Sequence, residues 1–172
     1  MALITDNQRI LISKADATDG TNTTLYWGKN LKGKDVAGIP NSNNTTVAKA
    51  DFAGKAHTDA IIVAYSEHNV EMNSRDMCTV LETFNASEET AGREHDWYIP
   101  ATGQLYEMYT NKTDINAALE NIGGTAFDES GYYWSSSELD ASYAWHADFV
   151  DDSVNGESKY VNVRVRFIRD IV

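Results

Sequence analysis

The chain has 172 residues, with 14 Lys+Arg against 26 Asp+Glu and a formal net charge of −12 at pH 7. That length predicts one domain, 1–172, able to bury a core without covalent staples. The charge argues against a nucleic-acid backbone as partner, since binding one needs a basic stripe. A lone cysteine, Cys78, excludes an internal disulfide framework and a cysteine-based zinc cluster.

No stretch approaches the 18 apolar residues of a membrane span, so no membrane insertion is expected. Asp6, Gln8 and Arg9 interrupt the apolar residues of the first segment, which therefore lacks the apolar run of a signal peptide. The expectation is a product that is cytoplasmic as synthesised, with virion association or surface display left open. The charge is unevenly spread: no Lys or Arg occurs between Lys112 and Lys159, a gap holding ten acids. One reading is a solvated face kept soluble by its charge. The other is a surface that selects a partner by sign.

In chain order, Arg9–Ile12 predicts a short strand and Thr24–Trp27 a second. Lys29–Gly54, rich in Gly, Asn and Thr, predicts a long connection with at most one short strand. Ala60–Ala64 is an apolar run whose length does not separate strand from buried helix. Met77, Val80, Leu81 and Phe84 fall at helical spacing, with Asn73 or Ser74 placed to cap. Cys78, beside that stripe, reads as a small core residue. Trp97–Ile99 predicts a buried strand stopping at Pro100. A helix follows, with Leu105, Met108 and Tyr109 on one side; Ala101 and Gln104 stand where a capping box would favour Ser and Glu. Thr113 is placed to cap a further helix along Ile115, Ala118, Leu119 and Ile122, closed by Gly123-Gly124.

From Tyr132 the period becomes two. Trp145, Ala147 and Phe149 share one face, while His146 and Asp148 share the other. Asn155-Gly156 predicts a hairpin turn. The return strand then places Val161, Val163, Val165 and Phe167 inward and Asn162, Arg164 and Arg166 outward. The order of elements gives an α+β fold with a strand-rich C-terminal third.

Motifs for chemistry are sparse. Asp151–Gly156 has the start of a calcium loop, but position twelve is Asn162 instead of Glu, so a plain hairpin is favoured. The four histidines have no zinc spacing, so no metal is expected. Ser135-Ser136-Ser137 lacks the surroundings of a nucleophile elbow, and its hydroxyls are expected to satisfy buried backbone groups behind Trp134. No phosphate-binding glycine motif occurs. No catalytic residue and no cofactor are expected.

A set of ordered blocks carries more information: Asp51–Ile61, Asp96–Pro100, Gly103–Tyr106, Ile122–Gly124, Tyr132–Glu138, Ala144-Trp145 with Phe149, and Val163–Arg169. Over residues 51–170 this series resembles bacterial and phage proteins with a C-type-lectin-like fold, including the variable proteins of diversity-generating retroelements. Residues 1–50, N-terminal strands and a loop, match poorly. The resemblance implies that the N- and C-terminal strands pair and that the C-terminal third displays a ligand surface. Its framework would be Trp134, Ser135, Ser136, Ser137, Trp145, Phe149, Val163, Val165 and Phe167. Its ligand-binding positions would be Glu129, Tyr132, Leu139, Asp140, Ser142, Tyr143, His146, Asp148, Val150, Asp151 and Asp152. Tyr would supply rigid contact area and Ser, Asp and His adaptable polar contacts, while the acids would disfavour anionic partners.

The function expected is therefore non-enzymatic binding of a protein or carbohydrate ligand on a cell surface, as in phage receptor binding or bacterial adhesion. Two alternatives stand beside it. One is an enzyme related to formylglycine-generating enzymes, which use paired cysteines. The other is a calcium-dependent lectin.

Overall fold

The structure is a computed structural model and describes residues 1–93, 95–151 and 153–171. In Arg9–Ile12 (β2) the side chains of Ile10 and Ile12 turn inward. This strand lies between Ala2–Ile4 (β1) and Ile168–Asp170 (β8), antiparallel to both. The pairing of N- and C-terminal strands implied by the resemblance is thus present. β1 itself carries no sequence pattern strong enough to announce it.

The second strand shrinks to Leu25–Tyr26 (β3), which pairs with Asn162–Val163 (β7). The connection after it holds a 3-10 turn at Lys29–Leu31 and a short helix at Thr45–Lys49 (α1), with no strand among its residues. Asn44 explains α1: its side chain accepts from Thr46 N at 2.9 Å and Val47 N at 3.3 Å. The ambiguous apolar run belongs to Gly54–Glu67 (α2), whose buried His57, Thr58, Ile61, Ala64 and Tyr65 form one helical face.

Met77–Thr90 (α3) starts behind Asp76, not Asn73 or Ser74. The Asp76 carboxylate faces away from the helix start, accepting from Lys29 N, Asn73 N and the Tyr65 hydroxyl. Trp97–Ile99 forms no strand; only Tyr98 bridges Ile168, by two backbone hydrogen bonds of 2.7 and 3.0 Å. Lys112–Asn121 (α5) begins after Asn111, so Thr113 lies inside it. Its end is a Schellman motif: Gly123 has φ 69°, Gly124 N reaches Leu119 O, and Gly123 N reaches Glu120 O.

Thr102–Thr110 (α4) shows how a missing cap is replaced. Ala101 has no side-chain acceptor, so Gln104 Oε1 accepts from Ala101 N at 3.1 Å and Ser137 Oγ accepts from Thr102 N at 3.0 Å. Ser137 in turn donates to Asp51, and Ser135 donates to the Trp145 carbonyl. Ser135 and Ser137 therefore satisfy backbone groups around Trp134, as expected from the sequence, whereas the buried Ser136 hydroxyl has no hydrogen-bond partner among the described residues.

A three-stranded antiparallel sheet completes the fold: Tyr132–Glu138 (β4), Tyr143–Asp148 (β5) and Ser153–Ser158 (β6). Asn155-Gly156 is not a turn but the middle of β6, paired with His146 and Trp145. Two buried clusters flank this architecture. One gathers Leu25, Trp27, Ile61, Met77, Trp134 and Val165; the other gathers Ile10, Ile12, Leu105, Tyr133, Trp145 and Phe149. Cys78 is fully buried in the first, and burial pushes its thiol well above its ordinary pKa.

Arg166 overturns the expected outward alternation, because it is fully buried. Its guanidinium donates to Asp16 at 2.7 Å and to the carbonyls of Ser13 and Thr125. β7 ends at Val163, so the period of two does not extend to residues 165–168, and all four are buried.

Candidate functional site

The sheet register sorts the C-terminal third into two faces. Tyr132, Asp148 and Ser153 share one rung, and Trp134, His146 and Asn155 the next. Because directly paired residues project to the same side, these six lie on one face, with Glu157 further along it opposite Ala144. Tyr133, Ala147, Trp145 and Val154 project to the other side, into the second cluster.

On the first face, Tyr132 is 47% exposed and Asn155 is exposed, while Ser153 and Glu157 are half-buried. His146 lies beneath them, its ring 5.0 Å from that of Tyr132 and 6.0 Å from that of Trp134. Only 6% of His146 is exposed, and among the described residues its Nδ1 has no hydrogen-bond partner. Burial holds the imidazole below its usual pKa, against the opposing pull of the Ala147 backbone and then of Asp148, Glu157 and Asp151. Asp148 is also buried; its Oδ1 accepts from Val150 N at 2.8 Å and so forms the turn between β5 and β6. His146 and Asp148 were expected as display positions, and the structure buries both. Alternation distinguishes the two sides of a strand but does not tell whether the polar side is covered.

The remaining expected positions fall into separate groups. Val150, 61% exposed, and Asp151 continue from the Tyr132 rung, with Ser153 Oγ donating to Asp151 Oδ1. Glu129, exposed, accepts from Asn116 just before β4. Leu139, Asp140, Ser142 and Tyr143 sit at the opposite end of β5, roughly 17 Å along the strand. There Asp140 Oδ1 accepts from Ser142 N at 2.7 Å and Tyr143 N at 2.9 Å, holding the β4–β5 turn. Tyr143 projects to the side opposite Tyr132. Leu139 packs with the second cluster. The expected site therefore divides in two. Asp152 lies outside the described residues.

Ser153, Asn155 and Glu157 were missed because the Asn-Gly pair was read as a turn. Gly156 has no positive φ. A Cβ there would lie 2.3 Å from Leu139 Cδ1, so the glycine makes room for a neighbour rather than reversing the chain.

Near the other end of β4, Glu138 and Lys159 form an ion pair with neither side chain exposed. Glu138 also accepts from Val36 N, and Lys159 donates to the Lys34 carbonyl at 2.9 Å. Burial raises the Glu138 carboxyl and lowers the Lys159 ammonium, while their contact pulls each back. This pair fastens the 34–36 segment to the sheet.

Among the described residues, no group of three or more His, Cys, Asp or Glu could hold a metal ion. No helix among them is long and apolar enough to cross a membrane.

No protein-family model and no curated protein matches this sequence. Among solved structures the chain is similar to a fimbrial protein from Bacteroides ovatus, with a TM-score of 0.65, 15% identity and 93% of this chain covered. The chain spans 35% of that protein's length. At this identity the likeness establishes a shared α+β fold.

Proposed function

We propose that this chain is a non-enzymatic ligand-binding module with a C-type-lectin-like fold, related to retroelement-diversified variable proteins and acting on a cell or virion surface. Its ligand, protein or carbohydrate, would contact the face bearing Tyr132, Ser153, Asn155 and Glu157, together with the Val150–Asp151 turn. The observation that carries this reading is a division of labour. Every residue expected as framework, from Trp134 to Phe167, is at most 4% exposed, whereas Tyr132 and Val150 stand out beside polar neighbours. A rigid sheet carrying an exposed Tyr and short polar side chains suits recognition, because little conformational entropy is lost on contact.

The fimbrial neighbour supports an adhesin-like setting. The buried Cys78 thiol, held in its neutral form, supports a non-enzymatic reading, since the thiolate is the nucleophile. The acids around this face favour a basic or neutral partner, and binding of a basic one should weaken with salt.

The test is adhesion of fluorescently labelled protein to intact cells of the species that carries the gene. Tyr132→Ala combined with Asn155→Ala should abolish adhesion, and Tyr143→Ala, on the other side of the sheet, should retain it. The reverse pattern would overturn the choice of face. A near-repeat of the codons for the C-terminal third, beside a reverse-transcriptase gene, would establish diversification.

A further inference from the structure

A second concavity lies away from that sheet and does not depend on the reading above. It is a cleft of about 390 Å³ between the residues before β2, the start of α2, and Asp170 of β8. This volume is within the range of small-molecule sites. Its two sides carry opposite chemistry.

One side is electropositive. α2 is a 14-residue helix whose N-cap is Ala53, which offers no side-chain acceptor and leaves the first turn uncapped. First-turn amides have no acceptor within their own helix, and the helix dipole adds positive potential there. Asp51 accepts from the amide of Ala53 at 3.0 Å, but Ala53 precedes that turn. Lys55 stands in the first turn with its side chain 53% exposed, 3.8 Å from Asp96, and Arg9 adds a second cation to the wall. Gly54 lets the helix start press close: a Cβ there would meet Gln104 Oε1 at 2.3 Å and Ile99 O at 2.7 Å.

The other side accepts hydrogen bonds. Gln8 is only 7% exposed and donates from Nε2 to the Gln104 carbonyl at 3.1 Å, yet its Oε1 has no partner among the described residues. A buried amide oxygen left this way costs free energy that an incoming donor would recover. Beside it, Gln104 donates to the Tyr98 hydroxyl, which donates to Asp170 at 2.6 Å. That chain fixes the Asp170 carboxylate at the cleft.

We propose that this cleft binds a small carboxylate that also carries hydrogen-bond donors, the chemistry shared by free amino acids and acidic sugars. The carboxylate would meet the α2 N-terminus, Lys55 and Arg9. The ammonium or hydroxyl groups would meet Asp170, and would reach Gln8 Oε1, itself sealed from solvent, once the Gln8 side chain turns outward.

The test is an amide-shift NMR titration of the full chain with four probes: glycine, glucuronate, acetate and glucose. Saturable shifts at Gln8, Arg9, Lys55 and Ala56 are expected with glycine or glucuronate, and whichever of the two binds identifies the source. Acetate lacks the donors and glucose lacks the charge, so each should bind about tenfold more weakly or worse. Lys55→Glu, at an exposed side chain, should remove the shifts while the remaining spectrum stays folded, and Gln8→Met should weaken them. Absence of shifts with both glycine and glucuronate would overturn the proposal. So would acetate or glucose binding equally well, or saturation unchanged by Lys55→Glu.

Discussion

β4 and β6 occupy opposite sides of the same three-stranded sheet and live under different constraints. From Tyr133 to Glu138 every β4 residue is buried, and its neighbours are Trp145, Pro100, Thr102 and the return segment at Arg164. Among the described residues β6 has only β5 as a strand partner, and Asn155 and Gly156 face solvent. The difference teaches where this fold tolerates change: the polar residues of β4 from Ser135 to Glu138 are all built into the interior, whereas on β6 the buried polar residue is Ser158 at the strand's end.

The largest test of that contrast is Glu138→Ala. It would leave the fully buried Lys159 ammonium with the Lys34 carbonyl and the face of the Trp27 ring, 4.7 Å away. Orphaning one member of a buried pair costs about 3–5 kcal/mol, and urea unfolding should report a loss of that size. A loss below about 1 kcal/mol, the scale of an exposed ion pair, would erase the distinction between the strands.

A smaller effect comes from His146, which lies between the two regimes. Its folded pKa is lowered from 6.5 by burial, so the unfolded chain binds a proton that the folded chain resists. The stability it contributes is complete above the ordinary histidine pKa and falls as pH drops toward the lower folded value. His57 is shifted in the same direction by burial and acts in the same window. Unfolding measured between pH 7 and 5 should therefore steepen in the parent relative to His146→Gln, with His57 common to both. Identical slopes would mean that the site under Tyr132 admits the charged ring freely.

The smallest effect is expected for Tyr143→Ala, at a residue 44% exposed. Surface changes of this kind fall within about 0.5 kcal/mol, and a thermal melt that drops well beyond this would make Tyr143 part of the framework.

The framework was legible because hydrophobic side chains at periods of 2 and 3.6 report burial directly. Trp145, Val163 and Leu105 all declare themselves this way, whereas Trp134 was expected as framework only through the family resemblance. Arg166 was not legible, since its partner Asp16 lies 150 residues away and only the folded chain brings them together. Asn155-Gly156 misled because the dipeptide signals a turn only when glycine uses positive φ; here it answers to Leu139. The candidate face suffered from the same local view. Asp148 and Asp140 were both expected as display residues; both close turns through backbone amides, and Asp148 is buried while Asp140 stays exposed. Deciding between a displayed acid and a turn-forming one needs the register, which a single strand pattern does not contain.

The pairing of β2 with both β1 and β8 has a mechanical consequence. Ala2, Leu11 and Arg169 lie side by side, and β1 and β8, each antiparallel to β2, run in the same direction. The chain enters at the Met1–Ile12 end of this ribbon and leaves at the Arg9–Ile171 end. A pull on the two ends would thus act along the strands, loading their cross-strand hydrogen bonds together in shear instead of peeling them one at a time. A module tethered at both ends would resist drag with its β1–β2–β8 sheet, and the separate β4–β6 sheet would be spared the first deformation.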